Sequence, residues 1–394
     1  MTANRWLILA VLFFARTTMG FQFQSVGSVT PLLVDPLNFD FATVGTLIGL
    51  YLFPGVFVAL PGGVLGATFG SKRVVVAGLI LMVAGGLIMA ASNALTALAL
   101  GRAVAGAGAV LMNVLLTKMV SDWFGARNLA TAMAVLVASW PFGIALGLVG
   151  FIPIASMFGI DGVWIAGSAA SAVAAMAIVL FYREPTSSAA VAAPARLQFN
   201  LNRNEWWLVS AAGVVWATYN VAYIICVTHF PALFADRGFG VTQSNALASW
   251  LGWALILFVP VGGLLADWTG RRVLVIVAPL LIVATAIVMM VAPAMPVVAV
   301  FTVLAAIVGI PAGPIMALPA QATRAESRAV GMGIYFTLYY VLMALVPAVA
   351  GYTRDVAQSP VAPMLVAVAM LLVAVASVAV FQFLIRNRNL ETTG

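Results

Sequence analysis

Between residues 74 and 93 the chain runs without a charged side chain, and apolar stretches of similar length recur from one end of the sequence to the other. A helix crossing the hydrocarbon core of a bilayer needs about 20 predominantly apolar residues. Measured against that length, the sequence predicts twelve spans, near 6–30, 42–67, 74–93, 95–119, 128–153, 160–182, 206–230, 243–266, 273–293, 296–320, 328–352 and 362–385. The runs are continuous and about twice the length of the alternating, roughly ten-residue strands of a membrane barrel, so helices are expected. Gly and Pro inside them are tolerated because neighbouring helices re-satisfy the backbone. The first run is interrupted by Arg16 and followed by no small-residue cleavage site, which reads as a retained helix and not a signal peptide.

Composition closes off the alternatives. Of 394 residues, 64% are hydrophobic and 7% charged, against roughly 25% charged in soluble domains. That excludes a soluble enzyme, a disordered regulator and a collagen-like fibre. The net charge of +7 is spread between apolar runs and forms no patch, so nucleic acid is not an expected partner. A single Cys226 excludes an internal disulfide and Cys-based metal clusters, and a single His229 excludes multi-histidine zinc sites. No Gly-x-x-x-x-Gly-Lys-Ser/Thr loop is present for ATP. The seventeen Met include no Met-x-x-x-Met pair, so they read as gap fillers and not as copper ligands. No cofactor or metal is expected.

Basic residues orient the spans. With the N-terminus in the cytoplasm, the inner side holds fourteen: Arg5, Lys72, Arg73, Lys118, Arg127, Arg183, Arg196, Arg203, Arg271, Arg272, Arg324, Arg328, Arg386 and Arg388. The outer side holds Arg237 and Arg354. Both termini are therefore expected inside a bacterial-type inner membrane.

Residues 183–205 are the least apolar stretch and read as a cytoplasmic linker. On either side the sequence repeats at an offset of 200: Trp6 with Trp206, Thr18 with Thr218, Pro31 with Pro231, Leu33 with Leu233, and Gly62, Gly63, Leu65 and Gly70 with Gly262, Gly263, Leu265 and Gly270. The expected organisation is an N-terminal six-helix bundle over 1–183, a linker over 184–205 and a C-terminal bundle over 206–394. Parallel repeats of this kind place a substrate near the midplane, between halves that rock.

After the eighth span the chain reads Gly263-Leu-Leu-Ala-Asp267-Trp-Thr-Gly270-Arg271-Arg272, which resembles the signature loop of the major facilitator superfamily. The first-half copy, Gly63-Val-Leu-Gly66-Ala-Thr-Phe-Gly70-Ser71-Lys72-Arg73, carries Gly66 at the acidic position. In the fourth span, Gly101-Arg102-Ala-Val-Ala-Gly106-Ala-Gly108 resembles the family's R-x-x-x-G-x-G pattern; close helix packing accounts for these glycines. The fifth span's Ser139-Trp140-Pro141-Phe-Gly143 only partly resembles the antiporter motif of drug exporters. That stretch and Lys118-Met-Val-Ser-Asp122-Trp-Phe look most like bacterial cyanate- and nitrate-type members. The resemblance implies an all-α membrane protein with twelve transmembrane helices in two pseudo-symmetric six-helix bundles, working as a secondary transporter by alternating access and not as an enzyme. It also carries a gating role to Asp267, with Gly263, Gly270, Arg271 and Arg272, and to Lys72 and Arg73 in the first half.

Two charges lie deep within the spans, Arg16 and Arg102; Lys118 and Asp122 sit at the inner end of the fourth, where they can reach water. An intramembrane charge costs at least ~2.5–3.5 kcal/mol and marks function unless it is otherwise satisfied. Arg16 sits about 15 Å beyond Trp6 along its helix and Arg102 roughly 10 Å from its helix's outer end. Every Asp and Glu maps to a loop or helix end, so neither arginine has an evident carboxylate partner. Uncompensated positive charge in a low dielectric favours an anion, and a guanidinium suits a carboxylate or similar planar oxyanion. The alternative is that either arginine bonds helix-end carbonyls and fixes packing.

Arg16, Gly20 and Gln24 share one helix face, as do Arg102, Gly106 and Asn113. Gly20 is expected to leave room beside the guanidinium. Trp140, Tyr219, Asn220, Tyr223, Tyr335, Tyr339 and Tyr340 can supply donors and rings, or simply pack and anchor. His229 is the neutral-pH switch available for a coupling proton; exchange against a counter-anion needs none. The expected cargo is a small organic or inorganic anion, carried by a monomer in the lipid bilayer. The rivals are an exporter of amphipathic drugs or metabolites and a membrane receptor that binds without transport.

Overall fold

A computed structural model describes residues 4–124, 129–184, 201–292, 296–324 and 327–393. Arg127, Arg196 and residues 185–200 of the expected linker lie outside the described residues. The described chain is helical throughout and contains no strand. The first span is α1 (Arg5–Ser28) with α2 (Thr30–Leu37), and the second is α3 (Phe41–Leu50) with α4 (Gly55–Phe69). The third and fourth are α5 (Ser71–Ala91) and α6 (Leu95–Phe124). Next come α7 (Leu129–Phe181), α8 (Arg203–Asp236), α9 (Val241–Thr269) and α10 (Arg272–Val291). The tenth span is divided into α11 (Val297–Val308), α12 (Ala312–Met316) and α13 (Leu318–Ala322), and the chain ends in α14 (Arg328–Ala357) and α15 (Val361–Thr393).

The 53 residues of α7 bend sharply at Gly159, where φ is 71°. Its two arms serve as the fifth and sixth spans, since a straight helix of that length would reach about 80 Å. The other breaks follow proline: Pro31 opens α2, Pro54 precedes α4, and Pro311, Pro314 and Pro319 punctuate the tenth span. The helix α8 begins inside the expected linker because Asn202 and Glu205 close a capping box. The glycine pair of the repeat, Gly70 and Gly270, ends α4 and α9 with φ of 89° and 64°. Gly78 and Gly85 of α5 face Gly108 and Gly101 of α6, each so near the opposing backbone that a methyl group would collide.

Arg102 fixes the break in the second span. The turn after α3 redirects the Tyr51 N–H to Ile48 O, leaving Leu47 O without its helical donor. Arg102 Nε donates to Leu47 O at 2.9 Å, Nη2 to Ile48 O at 3.5 Å and to Phe23 O at 3.2 Å, and Nη1 to Gln22 O at 3.0 Å. Its guanidinium lies 4.5 Å from the Tyr51 ring centroid, and the residue is fully buried. A cation at the negative end of α3, with its donors on carbonyls, needs no carboxylate.

The helices alternate in direction, so one end of the bundle carries both termini and the other carries the α2–α3 and α14–α15 connections. At that far end the two halves meet. Gly45 and Gly49 of α3 lie against Pro347 O and Ala344 O of α14, and Gly351 lies against Phe41 O. Asp355 accepts from the Phe41 N–H at 2.9 Å and the Ala42 N–H at 2.8 Å, capping α3 from the other half. Arg354 stacks over the Phe41 ring at 3.8 Å. Asp40 caps the same helix from its own chain segment, and hydrogen bonds from Thr43 hold its carboxyl below the ordinary range.

Two outcomes follow. Arg102→Met strands Leu47 O in the membrane interior and is expected to cost ~1–3 kcal/mol, read as a lower unfolding midpoint in detergent; an unchanged midpoint contradicts the pinning role. Asp355→Ala removes a helix-cap contact of about 1 kcal/mol, about a fivefold shift in population. Spin labels at Phe39 and Val356 should report a longer distance distribution at the far end.

Candidate functional site

Near the middle of the bundle Arg16 leaves α1 and reaches both α6 and α7. Its Nε donates to Asn113 Oδ1 at 2.7 Å, and its Nη1 to Leu136 O at 2.7 Å and Val137 O at 3.0 Å. Val137 O is available because Pro141, four residues on, has no N–H to offer it. Unlike Arg102, Arg16 is only partly buried, and among the described residues its Nη2 has no hydrogen-bond partner. No acidic side chain of the described spans faces it; its neighbours across the bundle are the phenols Tyr339 and Tyr340 of α14. Asn113 also lies beside Tyr340. One constellation thus joins α1 and α6 of the first half to α14 of the second.

Gly20 does not make room for the guanidinium. A Cβ there would stand 2.4 Å from Trp140 O, and one on Gly143 would stand 2.2 Å from Thr17 O. These two glycines let α1 and α7 cross closely and so deliver Arg16 to the carbonyls at 136–137. The Trp140 ring packs on Phe23 at 5.1 Å, near the Arg16 constellation but with no bond to it. The Gln24 side chain lies one turn further, buried, with Nε2 unpartnered and pointing towards Gly27 and Thr228.

In the second half the rings gather around Trp216, a residue not singled out from the sequence. Its centroid lies 5.9 Å from Tyr219, 6.4 Å from Tyr335 and 6.3 Å from Tyr339, with planes inclined by 34°, 20° and 33°. The repeat offset was the available signal: position 216 is the counterpart of Arg16, and Tyr340 that of Trp140. Tyr335 donates weakly to Met316 Sδ at 3.5 Å, and Tyr219 to Val308 O at 2.8 Å. Tyr223 lines an apolar cavity inside the second half with Tyr219 and Cys226, and its hydroxyl is unpartnered. Asn220 bonds back to Trp216 O on its own helix. The structure therefore brings Arg16, Asn113, Tyr339 and Tyr340 together, sets Trp216 beside them, and places Arg102, Tyr223 and Gln24 elsewhere.

His229 is buried in the far-end seal, beside Thr228 and the α3–α14 contact, with Nδ1 unpartnered. The residues expected to gate lie at the end carrying the termini. Asp267 and Arg272 approach to 3.8 Å, both exposed, within one half. Gly270 ends α9, Arg271 precedes α10, and nothing lies within 4 Å of the Cβ position of Gly263. Lys72 caps the C-terminus of α7 through Val179 O and Tyr182 O, and Arg73 is exposed. A Cβ at Gly66 would meet a terminal methyl of Leu115 at 2.2 Å, so the acid of the signature loop would need the Leu115 side chain to turn aside. Sequence reading also missed Glu205. It is 2% exposed and accepts from Arg324 and Ser327, tying the start of α8 to the segment before α14.

A family model described as Major Facilitator Superfamily matches residues 12–347. An uncharacterized transporter of Buchnera aphidicola is 27% identical over 139 residues, 35% of this chain and 34% of its own length. The inner membrane transport protein YajR of Escherichia coli is 32% identical over 108 residues, 27% of this chain and 23% of its own. The chain thus spans about a third or less of those relatives. Among solved structures, a bacterial homologue of the human lysosomal transporter Spinster, in an inward-facing and unoccupied conformation, superposes with a TM-score of 0.78 at 14% identity over 98% of both chains. The match shows the same fold, and with the family model it identifies this chain as a membrane transporter belonging to the major facilitator superfamily.

Proposed function

We propose that this transporter moves a small organic or inorganic anion by alternating access, with Arg16 as the charge that holds it. The observation that carries this reading is the half-open guanidinium: its Nε and Nη1 are held by Asn113 and two carbonyls, and its Nη2 is left without a protein partner. A cation kept at the midplane without a carboxylate is costly when empty and favourable once an anion arrives. The cyanate- and nitrate-like stretches of the sequence agree with an anionic cargo. Arg102 is assigned the scaffold, because its donors are already on carbonyls. Efflux of lipophilic cations calls for an interior acid, and the described spans place none beside Arg16.

The two halves, 1–183 and 206–394, are taken as the rocking units, with both termini in the cytoplasm of a bacterial-type cell. In that frame the far-end seal is the closed outer gate and the end carrying Trp268, 85% exposed, is open to the inside. The exposed Asp267–Arg272 loop and Lys72 then serve the opposite state, in which the inner ends approach. His229 is the proposed group for a coupling proton, since opening the outer gate would bring it to water.

Reconstituted into liposomes, the wild type is expected to exchange a radiolabelled anion across the membrane. Arg16→Gln should lose at least about tenfold in rate in protein that still unfolds in one cooperative transition, and Arg16→Lys should recover part of it. Equal flux by Arg16→Gln and wild type would sink the anion reading. If uptake follows a proton gradient, His229→Gln should abolish the gradient dependence and leave anion exchange intact; unaltered dependence removes His229 from coupling.

A further inference from the structure

We infer that the cargo is a monovalent anion whose carboxylate is joined to a flat aromatic or conjugated ring. This rests on the anion reading above and narrows it through three features of the same site.

The first is the charge count. One guanidinium is uncompensated at the site, because Arg102 is closed off by four carbonyls. A dianion would bring a second negative charge into the interior with no partner, which a low dielectric penalises heavily. A neutral solute would leave Arg16 unanswered. Single negative charge is the matching valence.

The second is the direction of the hydrogen bonds. Asn113 spends its Oδ1 on Arg16 Nε, which leaves its amide NH2 as a donor on the same side of the site. The neighbouring Tyr340 hydroxyl is a second group able to donate. Arg16 Nη2 and the Tyr340 hydroxyl are two donors with no acid between them, which suits two oxygens of one carboxylate.

The third is the aromatic surface next to this pair. Trp216 is partly exposed, and three tyrosine rings lie around it at inclinations of 20–34°. Most other ring pairs in the chain meet edge to face or strongly tilted, for example Phe142 with Trp253 at 88° and Phe230 with Phe301 at 82°. Near-parallel planes offer a face on which a flat ring lies offset. The repeat gives the two ends of the cargo their places: the equivalent positions 16 and 216 carry the charge and the indole. A bare inorganic anion would use the first and leave the second without purpose.

The test uses the full-length protein in detergent and five probes measured by calorimetry: benzoate, acetate, nitrate, terephthalate as a dianion and benzamide as the neutral analogue. Benzoate is expected to bind at least about tenfold tighter than each of the others. Arg16→Gln should abolish benzoate binding. Trp216→Leu should bring benzoate down to the affinity of acetate and leave acetate unchanged. Tyr339→Leu serves as the second variant if Trp216→Leu lowers the unliganded unfolding midpoint. If acetate or nitrate binds as tightly as benzoate and Arg16→Gln abolishes both, the ring inference falls and the anion reading stands. If benzamide binds as tightly as benzoate and Arg16→Gln changes neither, both fall. Binding of none of the five probes also overturns the aromatic class.

Discussion

A positive charge inside a bilayer has to be answered, and this chain answers its two intramembrane guanidiniums with backbone. Arg102 is answered completely: the break after α3 frees Leu47 O, and the guanidinium closes over it together with Gln22 O and Phe23 O of α1. The break and the arginine are therefore one feature. Without the turn at Tyr51–Pro54 Leu47 O would be bonded within α3, and without Arg102 that carbonyl would be bare in hydrocarbon. The first-half arrangement of α1 against α3 and α6 depends on this exchange, and so does the position from which Arg16 is presented.

Arg16 is answered in part, and the difference is the basis of the proposed site. Both arginines borrow carbonyls that irregular backbone sets free, Leu47 O by a break and Val137 O by Pro141. Arg102 has no exposed surface, whereas Arg16 is only partly buried. The two repeats differ here: the position equivalent to the charge carries an indole, and the one equivalent to Trp140 carries the phenol of Tyr340.

Much of this was legible in the sequence, for physical reasons. Spans are read well because lipid forces every backbone group into helices and every run to one length. Arg16 and Arg102 stood out because charge is scarce, but the sequence could not tell them apart. Their partners, Asn113 for one and Leu47 O for the other, lie 97 and 55 residues away and depend on how helices cross. Gly20 was assigned to the wrong neighbour for the same reason: its partner is the α7 backbone at Trp140, not the guanidinium on its own face. Asp355 looked like an ordinary loop acid because nothing local shows that it caps α3, 314 residues earlier. Trp216 was hidden among ten tryptophans and emerges only when the repeat is read position by position.

The far-end seal shows why such a fold can open without unfolding. Its closest contacts are glycine backbone on carbonyl oxygen, at Gly45, Gly49 and Gly351. Surfaces of this kind interlock few side chains, so parting them demands little rotamer rearrangement and leaves the apolar cores of the two halves packed. The polar tie sits where it can be exchanged. The Phe41 and Ala42 N–H groups are the unsatisfied first turn of a helix and lie at the far end of the bundle. When Asp355 withdraws, water can take its place on those donors, as at any helix start. A latch of equal strength at the midplane would have no such substitute, and breaking it would strand charge in hydrocarbon. Placing the fixed guanidinium of Arg102 deep and the exchangeable carboxylate of Asp355 at the end separates what must hold from what must move.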